Sequence, residues 1–293
     1  MSNEKNVVKY CAYALAAIIV ISIIGAIVSL ITEVVSSVKL KDDKYDYRDM
    51  QDVSSFENSV ALKDIKNMTI ELGATKFEII SGENYKIETN NKNVKYDIKD
   101  NTLVIKEKNT DFIKVKSNSK LVLTIPENHD YERLVIRVGV GSLNSCALKF
   151  KDGNFDLGTG RSTFKSIYAS NSLTIDGGVG KLSIESGEIN SLKLSIGVGS
   201  VNISSIINDS SNIDGGVGTL NLNLLDSLKN YTLTASKGVG SINLNGSSIA
   251  DEMTIGNGNK RLFIDGGVGS INVTSRESKN EKSNRSKAFN KRV

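Results

Sequence analysis

One element recurs so regularly in this chain that it dictates the kind of fold available: a G-x-G triplet at a spacing near twenty residues. It occurs as GVG at 139–141, GTG at 158–160, and GVG at 178–180, 197–199, 216–218, 238–240 and 267–269. The central residues are Val140, Thr159, Val179, Val198, Val217, Val239 and Val268, separated by 19, 20, 19, 19, 22 and 29 positions. A near-fixed period in this range marks stacked repeats, each a small unit that rests on its neighbours.

The apolar pattern around each triplet says what the unit is. Leu173, Ile175 and Val179 alternate before and through the glycines, and Leu182 and Ile184 resume one step out of phase. The same slip follows Leu192/Leu194/Ile196/Val198 and Leu262/Ile264/Val268. Period-two alternation predicts strands with one buried face. A phase slip at a fixed point predicts a corner or bulge, since otherwise the second strand would turn its apolar set to water. On this reading the central residues point inward. The flanking glycines, Gly139, Gly141, Gly158, Gly160, Gly178, Gly180, Gly197, Gly199, Gly216, Gly218, Gly238, Gly240, Gly267 and Gly269, are structural.

A further apolar residue beyond the second strand (Leu148, Ile167, Ile189, Ile206, Leu225, Ile249) predicts a third inward wall. The expected fold is therefore all-β: a parallel β-solenoid of ~20-residue rungs at ~4.8 Å spacing. Residues 131–275 hold the repeats and 61–130 form a β-rich N-terminal cap. In the cap, "MTIELGATKFEII" is a degenerate first rung centred on Ala74, and Asp100-Asn101 is a hairpin turn. The 25 glycines, with Pro126 the only proline, suit many short strands and tight corners.

Upstream, Tyr10 to Ile31 is a run of 22 residues without a charged side chain. At ~1.5 Å per residue it could cross a ~30 Å hydrocarbon core. It predicts a transmembrane helix over 10–31, preceded by a short tail (1–9) and followed by a polar stalk (32–60). A short tail before a large domain resembles a signal anchor, so the C-terminal domain is expected outside a cell membrane that the chain crosses once. Residues 276–293 form a basic tail expected to be disordered.

The formal charge of +4 is too mild to imply nucleic acid. Of the two cysteines, Cys11 lies in the apolar run, so Cys146 has no disulfide partner in the folded domain and reads as a small core residue. The only histidine, His129, is expected to be solvated in a polar turn. Without a second nucleophile or ligand near it, no catalytic constellation can be assembled and no cofactor is implied.

Aligning the repeats on their centres creates surface columns. Four positions on lie Asn144, Asn202, Asn221, Asn243 and Asn272, an expected amide ladder. Three positions before lie Asp156, Asp176, Asp214 and Asp265, with Ser195 and Ser236 between. Asp156 and Asp176 are the pair placed to share a cation. Turn-forming aspartate is the preferred reading, because the acidic position that calcium-binding β-rolls need after the glycines holds Lys181, Thr219 or Ser270.

With these features in hand, "LVLTIPENHDYERLVIRVGVGSLN" and the serial L-x-I-D-G-G-V-G-x-L-x-I rungs resemble the bacterial adhesin-like family also called toast-rack domains, over roughly residues 61–275. The resemblance implies a β-solenoid linked to the bacterial envelope, without established catalytic residues. The expected role is a membrane-anchored surface scaffold that binds a protein, glycan or wall polymer. A regulator of envelope stress acting through a membrane partner is the alternative. A polysaccharide-cleaving β-helix enzyme is a remote third reading, because no cluster of acids is visible.

Overall fold

The computed structural model describes residues 50–53, 65–108 and 118–276. The expected transmembrane helix lies outside these residues, as does the tail beyond Arg276. Of the expected stalk, Met50–Val53 is described and lies against the domain. There β1 (Gln51–Asp52) pairs antiparallel with β5 (Val94–Lys99), and Met50 is buried.

The described residues form an all-β solenoid. After β1 come β2 (Asn67–Leu72), β3 (Lys76–Gly82), β4 (Lys86–Thr89), β5, β6 (Thr102–Glu107) and β7 (Lys120–Pro126). Next is β8, one extended chain from Asp130 to Ile184, then β9 (Gly187–Ile207), β10 (Ser210–Asp214) and β11 (Val217–Ser227). A 3₁₀ turn, Leu228–Asn230, leads to β12 (Tyr231–Leu244). Then follow β13 (Ser247–Ser248), β14 (Met253–Ile255) and β15 (Lys260–Arg276).

Strand β8 runs unbroken through several corners because the glycines let the backbone turn while its hydrogen-bonding groups stay in the ladder. The rungs pair in parallel and in register: Leu173 on Leu192, Val179 on Val198, Leu182 on Val201. Val198 pairs in turn with Val217, and Leu220 with Val201. Side chains at Leu173, Ile175, Leu182, Ile184, Leu192, Leu194, Val201 and Ile203 are buried in one continuous core, as the phase slip predicts.

The second glycine of each triplet holds φ between +141° and +144°. At Gly199 a Cβ would sit on the carbonyl oxygen of Gly180 in the rung beneath. An L side chain is thus excluded twice, by conformation and by space. The central residue, by contrast, does not point inward. Val140, Val217, Val239 and Val268 are exposed, and Thr159, Val179 and Val198 are half-buried. The backbone turns between the two glycines, so the residue they flank stands on the outer side of the corner. The inward set ends two residues earlier, where buried Ile196 fills the space left by the missing side chain of Gly177.

The stacking order also departs from a simple sequential coil. β15 pairs with β11 on one side, Val217 on Val268, and with β12 on the other, Val239 on Val268. The last strand in sequence therefore inserts between two earlier rungs, and the Val239 rung is the terminal one. The N-terminal end repeats the device: β2 lies between β6 and β8, and β3 between β7 and β8. Ala74 is the centre of a rung stacked under Val140, as expected, with Val140 N donating to Gly73 O at 2.7 Å. Beyond it lies one further rung, β6 and β7. Antiparallel strands cover both ends: β5 and β4 on β6 and β7, β13 and β14 on β12. The β5–β6 hairpin turns through Asp100 and Asn101, both at positive φ.

The third wall is real where Leu148, Ile167 and Ile189 are buried. Ile206, Leu225 and Ile249 are only half-buried, while Ile207 and Leu224 take the core positions. A single-residue offset in a strand exchanges inside for outside, and nothing in these short apolar pairs (Ile206-Ile207, Leu224-Leu225) marks which member turns in.

Candidate functional site

The outer faces carry columns whose members bond along the stack. Three positions before each corner centre, the column begins earlier than the aspartates alone suggest. Glu71 pairs with Lys106 in one neighbouring strand and with Arg137 in the other. Lys106 Nζ lies 3.1 Å from Glu71 Oε2, Arg137 Nη1 2.6 Å from Glu71 Oε1, and Arg137 Nε 3.0 Å from Asp156 Oδ2. Glu71 and Lys106 are buried. The alternation Lys–Glu–Arg–Asp puts opposite charges in contact at every step. It was legible in principle, since Glu71 and Arg137 sit three positions before Ala74 and Val140.

Asp156 is therefore engaged by Arg137. Burial raises the Asp176 carboxyl above its ordinary range, and the charge of Asp156 raises it further. The two aspartates are near enough to repel, but among the described residues no group of three or more His, Cys, Asp or Glu is placed to hold a metal. Further along, Asp214 pairs in register with Asp265; Gly216 N donates to Asp214 Oδ1, and Ser236 Oγ to Asp265 Oδ1.

The amide ladder is present, in the order Asn202, Asn221, Asn272, Asn243. Each successive amide bonds the next through Nδ2 and Oδ1 at 2.9 Å. Asn144 is not part of it: Asn144 pairs with Glu78, and the intervening rungs carry Thr163 and Ser183 at that position. At the N-terminal end the corner column is closed by Glu107. Its Oε2 accepts from Gly73 N at 2.8 Å, Ala74 N at 3.3 Å and Thr75 Oγ1 at 3.0 Å, while Oε1 accepts from Asn91 at 2.6 Å.

His129 is not a solvated turn residue. Its Nε2 must donate to Ile65 O at 2.6 Å, since a carbonyl only accepts, and its ring packs against Tyr131 with centroids 4.6 Å apart. It fastens the start of the first rung to the turn before β8. Cys146 is half-buried against the core, and burial pushes its thiol up, away from the reactive thiolate.

A groove of about 620 Å³ lies on the third wall, crossing rungs from Asp130 to Asn208. Tyr131, Phe150 and Ala169 lie beneath it with their side chains in the core, and Lys151, Tyr168 and Glu188 are among the exposed residues that line it. Tyr168 stands in it, 44% exposed. On one side Lys149 Nζ lies 2.6 Å from Asp130 Oδ2, and on the other Asn208 Nδ2 donates to Glu188 Oε1 at 2.7 Å. Each polar wall is thus held in place by its own partner. Nothing along the chain marks an outward Tyr as part of a concave surface, so the groove is not legible in the sequence.

A continuous parallel stack with polar columns bonded along its length defines an all-β repeat protein that presents surfaces. The chain belongs to the Toastrack DUF4097 family, whose family model matches residues 65–291. Among solved structures it is similar to a proposed cell adhesion protein from Clostridium sporogenes: 19% identity, 74% of this chain and 96% of that one covered, TM-score 0.31. It is also similar to a proposed adhesin from Bacteroides fragilis: 12% identity, 72% and 94% covered, TM-score 0.33. No curated protein matches the chain.

Proposed function

We propose that this protein is a non-enzymatic binding scaffold, held at the outer face of a bacterial cell membrane by the apolar segment Tyr10–Ile31. The observation that carries the reading is how its polar side chains are used. Arg137 is bound to Glu71 and Asp156, Asn221 to Asn202, and Asn208 to Glu188. These groups bond their own neighbours along the stack instead of converging on a point where a reacting atom could sit. Such wiring gives rigid surfaces whose spacing is fixed by the strand ladder, which suits recognition of an extended partner.

The test uses whole cells displaying the full-length chain. Protease should reach the domain in intact cells, and the cells should adhere to surfaces coated with bacterial wall polysaccharide. Replacing Tyr10–Ile31 by an unrelated apolar helix should preserve adhesion. Loss of a downstream signal in that exchange, with no adhesion by the parent chain, would instead favour a regulator that works through a partner in the membrane.

A further inference from the structure

We infer that the groove around Tyr168 binds an uncharged oligosaccharide chain, with the Tyr168 ring as its stacking platform. The inference rests on the scaffold reading and names the ligand class at one site.

An aromatic ring 44% exposed within a concave surface is an unspent contact, since aromatic side chains gain most from being covered. The groove volume falls within the range of small-ligand sites. Its make-up, an exposed aromatic ring set among polar side chains, matches a pyranose, which offers C–H faces above and below and hydroxyls around its rim. Glu188 and Asn190 on one wall and Lys151 on the other place acceptors and donors at that rim. The run of the groove is set by rungs ~4.8 Å apart, close to the repeat of sugars in an extended chain.

Charge decides between ligand classes. Two lysines line the groove against three carboxylates. Lys149 is paired with Asp130, and Glu132 lies 3.4 Å from Lys66. What remains is Lys151 against Glu188, so the groove has no net field to draw a polyanion such as a phosphate-bearing wall polymer or nucleic acid. A peptide added as an extra strand is also disfavoured. The backbone here is already spent on the stack, with Tyr168 paired to Glu188, Ala169 to Ile189, and Asn208 N donating to Ile189 O.

The experiment is calorimetric titration of the full-length chain in detergent with cellotetraose, N-acetylchitotetraose and, as the anionic counterpart, tetragalacturonate, at low and high salt. A neutral tetrasaccharide should bind with an affinity that salt does not change. Tyr168→Ala should weaken it roughly tenfold or more, and Tyr168→Phe should retain it. Ser170→Trp, an exposed position on the wall, should block it with the fold intact. Binding of tetragalacturonate alone, absence of binding by both neutral tetrasaccharides, or indifference to Tyr168→Ala would each overturn the site. Cells carrying Tyr168→Ala that still adhere overturn the groove and leave the scaffold standing; parent cells that do not adhere overturn both.

Discussion

At the scale of single residues, the corner separates two adjacent positions that recur with similar regularity along the chain. Gly199 has no room for a Cβ and sits at φ +142°, whereas Val239, a corner centre, is 69% exposed. Gly199→Ala should therefore cost about 3 kcal/mol or more by forcing two rungs apart. Val239→Ser should stay within about 0.5 kcal/mol. Urea denaturation of the two variants checks both, and equal losses would contradict the outward placement of the valines. Glu71 presents the opposite case, a charge held deep between two cations. Glu71→Ala should destabilise by about 3–5 kcal/mol, because it removes the buried carboxylate that Lys106 and Arg137 both meet. Replacing Glu71 and Lys106 together by leucine should recover most of that loss, which thermal melts of the single and double variants would measure. The charged column was hidden for a simple reason. The triplet at 73–75 reads Gly-Ala-Thr instead of Gly-Val-Gly, so the alignment that exposes Glu71 rests on a rung with only one of its two glycines.

At the scale of elements, the consequential feature is the slot that β15 fills. Among the described residues β12 has no parallel neighbour except β15, and β11 uses β15 as the partner opposite β9. The joint where the chain first passes the slot is fixed by Asp226, whose Oδ2 lies 2.7 Å from Lys260 Nζ at the start of β15. Burial of Asp226 opposes its charge, but Lys260 and Asn230 outweigh it and hold the carboxyl below its ordinary range. A chain ending at Asn259 should lose the ordered structure of residues 231–255, because two strand edges are left bare. Adding a peptide of sequence Lys260–Arg276 should restore it, as followed by hydrogen exchange of β12. The spacings of 22 and 29 residues after Val217 are the trace of this excursion in the sequence. They reveal that the period is broken, but not that the final rung turns back.

At the scale of the whole molecule, stability is shared between neighbours and is least at the ends. Amides of residues 173–224, paired with rungs on both sides, should exchange slowest. Those of β13 and β14, antiparallel flaps on the last rung, should exchange fastest among the strands. A profile with uniform protection from end to end would argue against a stack that frays. The sequence by itself determined the strand periodicity, the corners, the inward alternation and the parallel repeat. Each follows from a chain whose side chains alternate across a strand and whose recurring glycines ease the turn at the corners. Only the tertiary structure decided which rung lies against which, that the corner valines face out, and that Lys151, Tyr168 and Glu188 line one groove. Those outcomes depend on strand edges seeking partners across long stretches of chain, and no local pattern of residues encodes the partner an edge will find.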